Sequence, residues 1–444
     1  EYTYWKWQIN ANETFTEEMT IFTLTGKNVT YALAALESGH LAHIYYGKRA
    51  DDEDLSYLMR LNENPFVPKV NERDMGTFMD TTPFEYPCHG IGDYREPAVS
   101  IMDEKGMTAL DLRFVSYEII DGKPELYQQL EDCTVRLPAT FAAKDEAQTL
   151  AITMKDAHSG LTAILYYTVF VDLNAITRSV KYINGGDKAF RLTRALSACV
   201  DFDSDQYDFI TLNGSWARER VMERCRLHHG KQSIDSVKGE SSHQNNPFAA
   251  LVSHNADEDM GEAYGFNLVY SGNFFAQAEV TQHKKTRFVM GINHFDFSWK
   301  LEPAQEFTAP EVVMVYSDKG IGEMSRTFHD LYRQHIIRGE YKDKRRPILI
   351  NNWEATYFNF NTEKLIDIAK QASQLGIEML VMDDGWFGHR DSDNSSLGDW
   401  FVYEKKIDGG LKHLVDEVNK LGMKFGIWFE PEMISPDSEL FKAH

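Results

Sequence analysis

Asp383 and Asp384 stand side by side at the end of an apolar run, in LVMDDGWFG (380–388), with Gly385, Trp386 and Phe387 directly behind them. Two further apolar runs end in the same manner. PILINNWE (347–354) closes on Asn351, Asn352, Trp353 and Glu354, and MKFGIWFEPE (423–432) closes on Trp428, Glu430 and Glu432. A carboxylate accepts charge-assisted hydrogen bonds, the stronger kind, from hydroxyls. An indole face covers the C–H face of a ring and buries apolar area. Together they make a pocket for a neutral polyhydroxylated ring, and such a pocket rejects analogues that lack the hydroxyls. An isolated Asp-Asp pair at a strand end is more often a helix cap or a surface turn. Acid and Trp at the ends of all three runs favour a site. Asp383, Asp384, Asp391 and Asp393 could instead hold Mg²⁺ or Ca²⁺. However, DSDNSSLGD (391–399) does not have EF-hand spacing, and no HxH or HExxH marks a zinc site. No metal and no cofactor is therefore expected.

The elements that position these residues form a strand, loop, helix rhythm from residue 347 onward. EKLIDIAKQASQLG (363–376) puts Leu365, Ile368, Ala369, Ala372 and Leu375 on one helical face, with Asn361 or Thr362 as its cap and Gly376 at its end. GLKHLVDEVNKLG (410–422) repeats the pattern with Leu411, Leu414, Val415, Val418 and Leu421 inward. Ser435 before Pro436 predicts the start of a third helix. Buried-type strands separated by amphipathic helices predict a parallel sheet. In βα-barrels the C-terminal strand ends form the active-site face. The stretch between Gly385 and Gly410 carries WFGHRDSDNSSLGDWF (386–401) and reads as a lid or subsite wall, because loops this long are usually functional or disordered.

Upstream the pattern is different. LTAILYYTVFVDLNAITRSVKYING (161–185) alternates, breaks at Asp172–Asn174 and closes at Gly185–Gly186, as a hairpin does. Similar short segments recur from the start to about residue 320 and predict a large antiparallel sandwich. GIGEMSRTFHDLYRQHII (320–337) then spaces Met324, Phe328, Leu331, Tyr332 and Ile336 helically, and RGEYKDKRR comes next. These features divide the chain into a sandwich over 1–320, a helical linker over 321–346, and parallel β/α units over 347–444.

Bulk properties narrow the partners. With 46 basic and 68 acidic residues the net charge is 46 − 68 = −22, which disfavours nucleic acid and anionic membranes. Cys88, Cys133, Cys199 and Cys225 are widely spaced without a CxxC, as expected for idle thiols in a reducing cytoplasm. EYTYWKWQIN (1–10) has neither an initiator Met nor the basic and apolar regions of a signal peptide, so a cytoplasmic protein whose true start lies further upstream is expected.

RPILINNWEATYFNFN (346–361), DDGWFGHRDSDNSSLGDW (383–400) and FGIWFEPEMISPDSEL (425–440) resemble bacterial α-galactosidases of glycoside hydrolase family thirty-six. HLAHIYYGK (40–48), RALSACVDFD (194–203), SSHQNNPF (241–248) and PEVVMVYSDKG (310–320) resemble the N-terminal sandwich of that family. The resemblance implies a β-supersandwich followed by a (β/α)8 TIM-type barrel, with about the first three β/α units in this sequence. It implies retaining hydrolysis of terminal α-1,6-galactosides such as melibiose and raffinose, without a metal. By the same resemblance Asp383 and Asp384 bind galactose hydroxyls, O4 and O6, while Trp353 and Trp428 line the pocket. Family members are commonly tetramers in which an N-terminal segment of a neighbour reaches the active site. Here that segment reads MRLNENPF (59–66), with Asn62 or Glu63 nearest the contact. The resemblance places the nucleophile and the acid/base on later strands, beyond His444, so this chain alone is expected not to cleave sugars. A non-catalytic carbohydrate-binding protein or fragment, and a relative that transfers galactosyl groups, are the alternatives.

Overall fold

A computed structural model of the chain describes residues 9–13, 19–51, 54–59, 62, 64, 66–69, 78–130 and 132–444. By its contacts the chain divides into two units, 1–337 and 338–444.

The first unit is almost entirely β. A ten-stranded sheet, a six-stranded sheet and a four-stranded sheet carry it, and the strand pairs within all three are antiparallel. The hairpin expected from alternation forms: Leu161–Phe170 pairs with Ala175–Asn184, with Leu165 opposite Val180. Period-2 burial appears at its start, where Leu161, Ala163 and Leu165 face inward. The ten- and six-stranded sheets pack face to face. Phe266, from the strand Ala263–Leu268, stacks on Phe288, from Thr286–Ile292, with ring centroids 3.9 Å apart.

A carboxylate at the centre of this core is fully satisfied. Glu85, buried, accepts from the hydroxyls of Tyr31 and Tyr167 and pairs with Arg178 at 3.0 Å and His43 at 3.0 Å. Arg178 also donates to the carbonyl of Cys199. Three sheets thereby meet around one side chain.

The helix expected after the sandwich runs over Gly320–His335. It is not a free linker. Met324, Phe328 and Leu331 are buried in one cluster with Phe170, Val313 and Val315, which draws the helix into the first unit. The contact boundary falls at 337/338, within the 321–346 stretch and just past the helix.

The second unit holds a parallel sheet of three strands, Leu349–Asn351, Met379–Met382 and Lys424–Ile427, in chain order. Parallel neighbours need long crossovers, and helices Thr362–Gln374 and Gly410–Lys420 lie within them. The Asn361 side chain caps the first of these by accepting from the Lys364 amide at 3.0 Å. Leu365, Ala369, Ala372, Leu414 and Val418 are buried with Leu380 and Met382. Three details depart from the sequence pattern. Leu375 lies just past the last helical turn and is 83% exposed, because the helix has ended before its side chain can reach the core. The last helix starts at Glu439, capped by Ser438 rather than Ser435. The Ser435 hydroxyl is already used, accepting from the Leu397 amide at 3.0 Å. Finally, the first strand is not of the doubly buried type: Ile348 and Leu349 are about half exposed, and full burial is confined to the middle strand. No helix among the described residues is long and apolar enough to cross a membrane.

Candidate functional site

The middle strand ends at Met382, one residue before the Asp pair. The chain then turns at Gly385, whose φ of +100° favours glycine. A Cβ there would stand 3.0 Å from the Phe358 ring. Asp383 and Asp384 thus lie between the strand end and the turn, outside the regular strand whose alternation would send neighbours to opposite faces.

The three strand ends are tied together. The Asn352 side chain accepts from the Asp383 amide at 2.8 Å, and the Asn351 side-chain amide donates to the Asp383 carboxylate. The Trp386 indole donates to the Trp428 carbonyl at 2.8 Å, and the Trp428 amide donates to the Met382 carbonyl at 3.0 Å. Asp383 is half-buried, and its other carboxylate oxygen accepts from the Asp384 amide at 2.7 Å. Asp384 is buried. Arg390 meets it side-on, Nε to one oxygen at 2.5 Å and Nη2 to the other at 2.7 Å. That bidentate arrangement fixes the carboxylate plane. Each oxygen still has lone-pair capacity left for a further donor.

Sequence reasoning misses Arg390 and Lys406. Arg390 sits in HRDSD, where a cation among acids reads as solvated, yet it is 3% exposed. It also donates to the Ser395 carbonyl at 2.7 Å. Lys406 donates to the Arg390 carbonyl at 2.9 Å, pairs with Asp391 at 2.8 Å and lies over the Phe360 ring at 5.3 Å. The lysine ion pair holds the Asp391 carboxyl below its usual range. These long-range contacts have no periodic signature.

Trp353 and Trp428 are half-buried. Trp353 begins a short helical turn and packs edge-on against Tyr357 and Phe358, 5.3 and 5.0 Å away. Glu430 is pushed upward by burial, opposed by Arg390 and reinforced by Asp384, Glu432 and Asp393, so the third strand end shares the electrostatic surroundings of the second. Glu432 and Glu354 are exposed; Glu354 accepts from the Tyr357 hydroxyl at 3.3 Å. The long segment after Gly385 is a packed wall rather than a lid. Trp386 and Phe387 are buried, and the Tyr403 amide donates back to the Trp386 carbonyl at 2.7 Å. Trp386 is thus core and not a sugar platform.

Asn62 belongs to the first unit, is exposed, and its carbonyl accepts from the Thr81 hydroxyl at 2.7 Å. Glu63, its alternative, lies outside the described residues.

By fold the chain is an antiparallel sandwich joined to parallel β/α units that present clustered acids and Trp at their strand ends. Residues 39–302 match the glycosyl hydrolase family 36 N-terminal domain, and residues 306–444 match Melibiase. The chain belongs to glycoside hydrolase family 36. It is 49% identical over 424 residues to alpha-galactosidase AgaA of Geobacillus stearothermophilus, covering 95% of this chain and 57% of that protein. To alpha-galactosidase Mel36A of Lactobacillus acidophilus it is 44% identical over 432 residues, covering 97% and 58%. The crystal structure of AgaA superposes with a TM-score of 0.89 at 48% identity, over 96% of this chain and 58% of that one. An AgaA variant in complex with raffinose superposes equally well. The chain thus spans a little under three fifths of the length of these relatives.

Proposed function

We propose that this chain supplies the sandwich and the sugar-gripping part of a retaining exo-α-galactosidase acting on terminal α-1,6-galactosides of the melibiose and raffinose type. The observation that carries this reading is the convergence of Asp383, Asp384, Trp353 and Trp428 at one end of a parallel sheet, in a chain 49% identical to an alpha-galactosidase. The three parallel strands are read as the first units of a (β/α)8 barrel, whose strand ends carry the active site.

In this reading Asp383 and Asp384 accept from galactose hydroxyls, and the two Trp faces enclose the ring. Arg390 supports that division of labour. A retaining glycosidase needs two carboxyl groups about 5 Å apart, one a nucleophile and one an acid. With both oxygens engaged by Arg390, Asp384 is built to hold a hydroxyl, not to attack an anomeric carbon. The nucleophile and acid are therefore assigned to groups other than these strand-end acids. Asn62 as a substrate contact delivered by a neighbouring subunit of a tetramer completes the reading. A protein comprising this sequence and active on p-nitrophenyl α-galactoside should lose about 30- to 1,000-fold in kcat/KM, or ~2–4 kcal/mol, on Asp384→Ala. Unchanged kcat/KM would remove Asp384 from the site. Isothermal titration of the chain with galactose tests the grip itself: binding abolished by Asp384→Ala supports it.

A further inference from the structure

The first unit carries a second concave surface that the strand-end site does not use. A cleft of about 600 Å³ opens between the hairpin Tyr127–Gln129/Thr134–Arg136 and the strands Trp299–Leu301 and Glu306–Thr308. That volume is within the ~300–1,000 Å³ of ordinary small-ligand pockets. Trp299, half-buried, supplies an aromatic wall; Gln129, Asp132, Lys300, Gln305 and Glu306 supply the polar one.

The walls are held in place. Buried Gln128 bridges them, its carbonyl oxygen accepting from the Thr308 amide at 2.8 Å and its amide donating to the Gln129 carbonyl at 2.8 Å. The Leu130 amide donates to the Cys133 carbonyl at 2.8 Å and closes the hairpin. The Trp299 ring rests on Phe307, 5.1 Å between centroids, and Lys181 pairs with Glu306 at 3.0 Å. A site ordered before its ligand arrives loses less entropy on binding.

The chemistry of the lining selects among ligands. Glu306 is already paired with Lys181 and Lys300 with Glu302 at 2.5 Å, so most of the charge on the lining is neutralised and an ion of either sign gains little there. An apolar ligand would cover the polar ends of Gln129 and Asp132 without pairing them, which is unfavourable. A neutral ring with many hydroxyls can pair with the amides and carboxylates while its C–H face lies on the indole. We propose that this cleft is a second carbohydrate-binding site, taking a neutral oligosaccharide with Trp299 as its stacking platform.

Calorimetry and saturation-transfer NMR with stachyose test this on the full chain. Asp384→Ala is included to silence the strand-end grip, and one class of binding is expected to remain. Adding Trp299→Ala should weaken that remaining binding about tenfold or more. Gln129→Ala, an exposed position that leaves the Phe307 packing intact, should weaken it severalfold with an unchanged melting temperature. No residual binding in the Asp384→Ala chain overturns the proposal, as does residual binding that Gln129→Ala and Trp299→Ala both leave unchanged. Failure of the strand-end reading looks different: Asp384→Ala would leave the whole isotherm of the parent chain intact.

Discussion

Glu85 with Arg178 in the sandwich, and Asp384 with Arg390 beside the parallel sheet, are both buried carboxylate–guanidinium pairs. Their surroundings separate them. Around Glu85 the polar neighbours are partners: two tyrosine hydroxyls, a histidine and the guanidinium converge on it, and Arg178 in turn spends donors on Tyr31, Tyr167 and a carbonyl. Around Asp384 the guanidinium holds the plane of the carboxylate, while the neighbouring acids Asp383 and Glu430 remain only partly buried. One pair is closed and joins three sheets. The other is buried too, but its carboxylate keeps spare acceptor capacity and it stands beside half-buried aromatics. A buried ion pair is therefore no sign of a site; the residual hydrogen-bonding capacity around it is.

The comparison breaks first if the sandwich network is dispensable. Glu85→Ala leaves Arg178 buried without its counter-charge, and breaking a buried pair in this way should destabilise by about 3–5 kcal/mol. Urea denaturation of the variant measures it, and a loss below ~1 kcal/mol would mean that the network does not hold the sheets. The opposite pattern is expected at Asp383. Asp383→Ala should lower galactose affinity by ~1.5–3 kcal/mol, the range for a hydrogen bond to a charged group, with a smaller loss of stability than Glu85→Ala, because only the bonds from Asn351 and the Asp384 amide go with it. A variant that melts early but binds normally would make Asp383 structural, like Glu85.

A smaller effect isolates the turn that presents the acids. Gly385→Ala places a Cβ at φ +100° and 3.0 Å from Phe358, so a loss of ~1–2 kcal/mol is expected by thermal unfolding, together with weaker galactose binding. Unchanged binding in a destabilised variant would detach the turn from the grip. The smallest expected effect is at Glu430, whose carboxyl is raised above 4.5, mainly by burial. A raised value means that folding favours the protonated form. Its contribution is complete below the unfolded value and is lost as pH rises through the folded one. Glu430→Gln should therefore raise the melting temperature at pH 7 and hardly change it at pH 4. Solvent screening keeps the gain within about 0.5 kcal/mol. Destabilisation at pH 7 would show that the charged form is held by Arg390 after all.

Much of the architecture is written in short stretches of sequence. The alternation over 161–184 makes its hairpin, and the 3.6-residue stripes of 362–374 and 410–420 make their helices with the expected faces inward, Leu375 excepted. Asn361 caps as its type and position require. Acid and Trp at three strand ends are legible because each apolar run and the polar residues that close it are adjacent in the chain. The features that the sequence leaves open depend on residues far apart in it. Ser435 does not cap its helix because Leu397, 38 residues earlier, takes its hydroxyl. The strand Val312–Ser317 enters the ten-stranded sheet between Ala263–Leu268 and Ala175–Asn184, an order that no local period specifies. Arg390 becomes the clamp on Asp384 only when the loop after Gly385 folds onto the core and excludes water from both. Residue type and spacing determine which elements form and which side chains could bind a sugar. Burial and partnership, which set the protonation and aim of those side chains, come from tertiary packing, because both depend on neighbours that only the folded chain brings together.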